Sequence, residues 1–103
     1  MIVIVGIFEA LPARRQDFVN LALETMASSQ PEKGCALYRF TASLDDPTRF
    51  TLTEIWDTGE DLKAHHTGEP YKKFFAALPH LGRRGPHLAW QGPLSPVDPS
   101  PLL

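Results

Sequence analysis

The residues best able to do chemistry lie in one stretch of the sequence, between Arg49 and Phe75. This stretch contains a carboxylate, Glu54, and an imidazole, His65, whose unperturbed pKa of about 6.5 allows it to accept a proton near neutrality. It also contains a set of large aromatic side chains: Trp56, Tyr71, Phe74 and Phe75. Titratable groups among aromatic rings are typical of a ligand pocket, so the stretch predicts one.

Each of these residues also has an ordinary structural explanation. A histidine on a helix with apolar neighbours can be a satisfied core residue, and Trp56 can be a packing residue. A buried Glu54 must find a partner or change its protonation state, and an arginine from the same chain or from a second copy would satisfy it. Asp61, one turn before His65, could form a weak surface pair with it. Both interpretations stay open at this stage.

A metal site is not expected. His65 and His66 are adjacent, and neighbouring helix residues point about 100° apart, so they cannot easily bind one metal ion. No other set of thiolate, carboxylate and imidazole groups has the spacing of metal ligands. Cys35 is the only cysteine and lies in an apolar run. We interpret it as a small core residue in a reducing, cytoplasmic setting, and not as a nucleophile.

The first half of the chain predicts a strand, a helix and a second strand. Ile2 to Phe8 is a continuous run of branched apolar residues, which favours a strand covered on both faces. A helix begins near Pro12, carries an apolar stripe that includes Phe18 and Met26, and ends before Pro31. The N-terminal run is too short to span a bilayer and has no basic leader, so we expect neither a membrane segment nor a targeting signal.

The middle of the chain predicts a β-hairpin. Its strands are Cys35 to Ala42 and Arg49 to Trp56, joined by a turn with Asp and Pro residues. With the turn centred near Asp46, Tyr38 lies opposite Glu54. One face of the hairpin then combines a carboxylate with apolar side chains: Ala36, Tyr38, Phe40, Phe50, Leu52, Glu54 and Trp56.

The last part of the domain predicts two helices and a weak fourth strand. Thr58 with Asp61 resembles a capping box, so a short helix is expected over Glu60 to His66. A second helix follows from Tyr71 to Leu78, ended by Pro79, and a strand is expected over His87 to Gln91.

This order of elements predicts a ferredoxin-like α+β fold, an antiparallel sheet with helices on one face. The hairpin also carries apolar residues on its other face, including Leu37 and Ile55, so we expect two sheets to pack together in a homodimer. The fold should occupy residues 1–91, followed by a proline-rich tail over 92–103. A net charge of −2 gives no reason to expect a nucleic-acid partner.

The sequence resembles the antibiotic biosynthesis monooxygenase family of dimeric α+β barrels, which includes quinol monooxygenases. The matching positions, aligned without a gap over roughly residues 1 to 90, are Pro31-Glu32-Lys33-Gly34-Cys35, Tyr38, Pro47, Phe50, Glu54-Ile55-Trp56, Ala64-His65, Tyr71 and Phe74. The resemblance implies a cofactor-independent monooxygenase, in which dioxygen oxidises the anion of a quinol or polyketide-like aromatic compound.

This implied chemistry gives the residues of the central stretch candidate roles. It needs a polar group that takes the phenolic proton, and His65 is the first candidate, with Tyr38 and Glu54 orienting the substrate or the histidine. The aromatic residues would form the walls that stack on the substrate ring: Trp56, Tyr71 and Phe74. The expected partners are a small aromatic substrate and dioxygen, with no cofactor and no metal.

Other branches of the same fold offer alternatives. The haem-degrading members place an asparagine and a haem-ligating histidine where this sequence has Gly6 and Phe75, so haem breakdown is disfavoured. An isomerase of a small carbonyl compound would need a phosphate clamp, for which Arg83 and Arg84 are candidates, although a solvated basic turn is the more common explanation. A ligand-binding dimer without catalytic activity is the third alternative.

Overall fold

The computed structural model describes residues 1–102. Its elements are β1 (Ile2–Ala10), α1 (Arg15–Ser29), β2 (Cys35–Ala42), β3 (Arg49–Trp56), α2 (Gly59–His66), α3 (Glu69–Leu81) and β4 (Gly82–Gln91), with short 3-10 helices at Pro12–Arg14 and Ser100–Leu102. The strands form one antiparallel sheet in the order β2-β3-β1-β4. The predicted ferredoxin-like α+β fold is confirmed. None of the helices described is long and apolar enough to cross a membrane.

The sheet is built around β1, which pairs with β3 on one side and with β4 on the other. Ile2, Phe8 and Ala10 of this strand are buried on the face that carries the helices. Val3 and Val5 alternate with them and are only half-buried on the opposite, open face. The sequence predicted that β1 is covered on both faces. Within a single chain, only the face that carries the helices is covered.

Aromatic side chains fill the space between the sheet and helices α1 and α3. The ring of Phe8 on β1 meets Phe74 of α3 edge to face at 5.3 Å, and Phe18 of α1 lies 4.8 Å from Phe50 of β3. Such pairs contribute about 0.5–1.5 kcal/mol each beyond the area that they bury. This cluster fixes the helices on the sheet and so fixes the position of the site described below.

The hairpin has the predicted register at its centre. Tyr38 of β2 pairs with Glu54 of β3, and both side chains point to the helix face. A register shift between Cys35 and Leu37 interrupts the ladder. Ala36 lies at this shift and is exposed, so the expectation that it shares the buried face was wrong.

Two boundaries differ from the prediction because tertiary packing outweighs the effect of proline. Helix α3 begins at Glu69, since Pro70 is tolerated in the first turn of a helix. It also continues through Pro79 to Leu81, because Leu78 and Leu81 on either side of the proline are both buried in the core. The prediction that Pro79 ends the helix was wrong.

Strand β4 is longer than the predicted His87 to Gln91 and begins directly after α3, at Gly82. It is an edge strand, and its register against β1 shifts between Gly6 and Phe8. Such a bulge allows an edge strand to include Pro86, which cannot donate a backbone hydrogen bond. The bulge also places Arg84 and His87 beside the centre of β1.

Candidate functional site

A cavity of about 340 Å³ lies between the helix face of the sheet and helices α2 and α3. Its volume is at the lower end of the range for small-molecule sites, about 300–1,000 Å³. The residues that line it include Tyr38, Glu54, His65, Tyr71, Arg84 and His87. The aromatic side chains therefore do not fill the space between sheet and helices, and a small ligand can enter it.

His65 is both firmly packed and directed to the cavity. It lies in the last turn of α2 and is only 3% exposed. The centre of its ring lies 4.7 Å from that of the Trp56 ring, with 34° between the two planes. The Tyr71 ring meets it edge-on, with 5.6 Å between the ring centres. Because these rings leave the imidazole little freedom, its two nitrogens have fixed directions.

The Nδ1 atom of His65 is hydrogen-bonded to Glu32. It lies 2.6 Å from Oε1 and 3.2 Å from Oε2 of this carboxylate. Because an ionised carboxylate only accepts hydrogen bonds, we assign the ring proton to Nδ1. The lone pair is then on Nε2, which is 3.9 Å from Oε1 of Glu54 and thus too far for a hydrogen bond.

The turn after α1 brings Glu32 to this position, since Gly34 adopts a φ of 76°. A Cβ at residue 34 would lie 2.0 Å from Oδ2 of Asp61, so only glycine allows the turn to approach α2 so closely. Asp61 therefore packs against the turn. The partner of His65 is Glu32, and the expected pair between Asp61 and His65 is absent from the described residues.

Glu54 is buried at the inner end of the cavity, with 7% of its surface exposed. Burial raises the pKa of its carboxyl, while the hydrogen bond from Trp56 and the nearby His65 act in the opposite direction. The indole Nε1 of Trp56 donates to Oε1 of Glu54 at 3.0 Å. An indole thus provides the hydrogen bond that was expected from an arginine.

Tyr38 lines the cavity with its ring, which lies 5.5 Å from the ring of His65. Its pKa is raised, first by burial and then by the neighbouring Glu54, so the phenol stays protonated at neutral pH. No hydrogen bond joins its side chain to Glu54 or His65 among residues 1–102. Tyr38 therefore lies in the wall of the cavity with its phenol protonated.

Trp56 and Phe74 do not line the cavity, which corrects the expectation that they stack on a ligand. Both are fully buried. Trp56 lies behind His65 and Glu54, and Phe74 packs into the aromatic core against Phe8. Of the three aromatic walls predicted, only Tyr71 faces the cavity.

The sequence did not identify Arg84 and His87 as neighbours in one cavity. The imidazole of His87 lies over Gly6, where a Cβ would be 2.1 Å from Nε2. A glycine inside a strand often marks the close approach of another group, and Gly6 was a signal of this kind. Nδ1 of His87 lies 3.2 Å from Nε of Arg84 and 3.0 Å from the carbonyl oxygen of Gly85. The tautomer of His87 decides which of these two hydrogen bonds forms, because Nδ1 must accept from Arg84 but donate to Gly85.

Arg83 and Arg84 point to different environments, as adjacent strand residues do. Arg83 forms a surface salt bridge with Glu9 through Nε and Nη2. Only Arg84 lines the cavity. The two arginines therefore do not form the phosphate clamp that the isomerase alternative requires.

The Cys35 thiol also bears on the chemistry of the site. Burial raises the pKa of the Cys35 thiol to about 11, with Glu32 and Glu54 adding to the effect, so the thiol is poorly nucleophilic. Within residues 1–102, no group of three His, Cys, Asp or Glu side chains converges as metal ligands.

Comparisons with known proteins agree with this architecture. The sequence profile described as antibiotic biosynthesis monooxygenase matches residues 1–77. A candidate antibiotic biosynthesis monooxygenase from Deinococcus radiodurans superposes with a TM-score of 0.85 at 21% identity, over 95% of this chain and 98% of that one. A candidate antibiotic biosynthesis monooxygenase from Nitrosomonas europaea superposes with a TM-score of 0.83 at 23% sequence identity, over 91% of this chain and 100% of that one. No curated protein matches significantly.

Proposed function

The chain belongs to the antibiotic biosynthesis monooxygenase family, and we propose that it oxidises a small phenol or quinol with dioxygen, without a bound cofactor. The observation that carries this proposal is the environment of His65. Its Nδ1 is held by Glu32, and its Nε2 is left free at the wall of an aromatic cavity. This arrangement supports a role for His65 as a general base toward a ligand in the cavity.

In the proposed reaction, Nε2 of His65 takes the proton of the substrate hydroxyl. Glu32 stabilises the positive charge that the imidazole then acquires, as a carboxylate does behind a catalytic histidine. The phenolate is electron-rich enough to transfer an electron to dioxygen, and the two radicals combine at a ring carbon to give a peroxide.

The peroxide then loses water. One oxygen atom of dioxygen stays on the ring as the new carbonyl of a quinone. The other leaves as water, with the ring hydrogen and the proton that His65 returns. A phenol and one dioxygen thus give one quinone and one water, so that neither an external reductant nor a cofactor is needed.

The cavity walls suit these reactants. Phe8, Leu52, Tyr71 and Phe75 provide an apolar lining for a flat ring and for dioxygen. The buried Glu54, whose pKa is raised, lies 3.9 Å from Nε2 of His65, the atom that takes the proton in this proposal. We propose that it orients the substrate as a hydrogen-bond partner.

We also infer that a second copy of the chain covers the open face of the sheet. Leu88 and Trp90 on β4 are 62% and 50% exposed, and Trp90 pairs with Val3 of β1. With Val5 opposite Leu88, these residues form a continuous apolar strip, and soluble proteins usually bury such strips in an interface. A homodimer related by two-fold symmetry would bury two strips at once.

Oxygen uptake with a reduced naphthoquinol tests the oxygenase proposal. Purified, metal-free protein should accelerate uptake above the rate in buffer, and ¹⁸O₂ should place one labelled atom in the product. His65→Gln should lower the enzymatic rate by about 100-fold or more. His80→Gln, which changes an exposed histidine on α3, should have no effect. Uptake at the buffer rate, unaffected by His65→Gln, would contradict the proposal for this substrate class.

A further inference from the structure

The mouth of the cavity carries a positive charge that is not neutralised by an acidic side chain. Arg84 is exposed there and is the only lysine or arginine of the described chain that lines the cavity. It forms no salt bridge within residues 1–102, in contrast to Arg83, which is paired with Glu9. The contact from its Nε to His87 leaves both terminal guanidinium nitrogens available to a ligand.

Arg84 is the dominant charge at the mouth of the cavity, because the two histidines beside it are mainly uncharged. The pKa of His87 is lowered, mainly by burial and further by Arg84. The pKa of His66 is lowered in the same direction, by burial and then by His65 and Arg84. Both imidazoles are therefore largely neutral at neutral pH. They offer hydrogen bonds to a ligand, whereas Arg84 offers hydrogen bonds and charge.

The inner end of the cavity differs from the mouth. Glu54 is buried there beside His65, and one of its oxygens accepts a hydrogen bond from Trp56. No salt bridge joins its carboxylate to Arg84 among the described residues, and Arg84 is the smallest of the influences on the Glu54 pKa, which it lowers. A ligand carboxylate at this end would meet no lysine or arginine of the described residues, whereas a ligand carboxylate at the mouth would meet Arg84. The polarity of the cavity thus distinguishes the two ends of a ligand.

We propose that Arg84 forms a carboxylate subsite, and that the ligand of this cavity is a small aromatic hydroxy acid. A guanidinium presents parallel N–H groups that match a carboxylate, and the pair binds more strongly than neutral hydrogen bonds do. The aromatic part lies along Tyr71 and Phe75, and the hydroxyl reaches His65. The identity of the reacting hydroxyl rests on the proposed function, but the carboxylate subsite does not.

A binding experiment under nitrogen tests the subsite without any turnover. The probes are 2-naphthoate and its neutral counterpart 2-naphthamide, each titrated into the protein at pH 7.5 by calorimetry. We expect the wild-type protein to bind the acid about tenfold more tightly than the amide or better. Arg84→Gln should remove this preference. Arg83→Gln is the matched control, since it removes the same charge from the adjacent residue, and the preference should remain.

Three results would overturn the subsite. They are equal binding of acid and amide by the wild-type protein, an unchanged preference in Arg84→Gln, and an equal loss in Arg83→Gln, which would indicate net charge alone. The oxygenase proposal fails separately. If naphthoate depends on Arg84 but no phenol or quinol consumes oxygen, the subsite stands without the oxygenase. If oxygen uptake depends on His65 while acid and amide bind equally, the subsite alone is wrong.

Discussion

The Nδ1 atom of His65 lies 2.6 Å from Oε1 of Glu32, although the two residues are 33 positions apart and lie on different parts of the chain. Glu32 does not line the cavity, so in the proposed reaction it would act on a ligand only through the histidine. A carboxylate in this position selects one tautomer of the imidazole and stabilises the ring once it has taken a proton. Glu32 is therefore a positioning residue for the proposed base.

Glu32→Gln should lower kcat with little change in KM. The amide oxygen can still accept the hydrogen bond from Nδ1, but it carries no charge to stabilise the imidazolium. We expect kcat to fall about 10- to 100-fold, the loss typical when the carboxylate that orients a metal-bound histidine is removed, because Glu32 orients His65 in the same way. In Glu32→Ala, ¹⁵N NMR of His65 should also show a mixture of tautomers.

Glu60→Gln is the control for this prediction, because Glu60 is an exposed carboxylate at the start of α2. It should leave both kcat and the tautomer unchanged. If Glu32→Ala keeps the wild-type tautomer and the wild-type kcat, Glu32 has no positioning role.

The sequence pattern was sufficient for those parts of the site that depend on strand alternation and local capping. Tyr38 pairs with Glu54 because the hairpin register follows from the turn and from the alternating apolar residues. The Thr58 side chain accepts from the backbone of Asp61, as its capping signal predicted. These interactions are specified by residues close together in the sequence or facing each other in one hairpin.

The remaining features depend on contacts that no local pattern encodes. Glu32 reaches His65 only because the Gly34 turn approaches α2. Core and cavity aromatics have the same spacing, so Phe74 and Tyr71 cannot be distinguished by periodicity although only Tyr71 faces the cavity. Arg84 lies on the weakly patterned edge strand, where the bulge decides its direction.

Glu54→Gln should stabilise the protein increasingly as the pH rises. Burial raises the pKa of Glu54 above its ordinary 4.5 in the folded state. The contribution of Glu54 to wild-type stability is therefore fully present below pH 4.5 and is lost as the pH rises through the folded pKa, whereas a glutamine does not titrate. The difference in unfolding free energy should grow by at most about 1.4 kcal/mol per pH unit.

Urea denaturation between pH 4 and 8 measures this difference, and Glu24→Gln, at an exposed salt bridge to Lys73, is the control with little expected effect. A difference that shrinks with rising pH would mean that the buried carboxylate is stabilised when ionised.

Gly6→Ala should displace the imidazole of His87. The new Cβ would lie 2.1 Å from Nε2, so the ring must leave its place over β1. We expect a loss of about 1–3 kcal/mol in unfolding free energy, as for overpacking in a core. In a His87→Ala background the same change should cost less, since no ring opposes it. Equal costs in the two backgrounds, measured by urea denaturation, would show that the steric contact is not responsible.

Cys35 should react slowly with thiol reagents in the folded protein. Its pKa of about 11 leaves a thiolate fraction at pH 8 that is about 200-fold smaller than that of a free cysteine with a pKa near 8.5. The rate of modification by a disulfide reagent at pH 8 should fall accordingly, and unfolding in urea should restore it. A folded protein that reacts as fast as free cysteine would mean that the thiol is not perturbed.

Trp90→Glu should dissociate the proposed homodimer. The indole is 50% exposed on the open face of the sheet, beside Val3, and a carboxylate there would be buried without a partner by a second copy. Sedimentation equilibrium should show a wild-type dimer whose Kd rises about 30-fold or more in the variant, the effect of losing about 2 kcal/mol at an interface.

Leu44→Glu is the control, since Leu44 is fully exposed in the hairpin turn, away from this face. A wild-type protein that stays monomeric at every concentration would exclude the dimer, and equal dissociation by both variants would exclude this face as its interface.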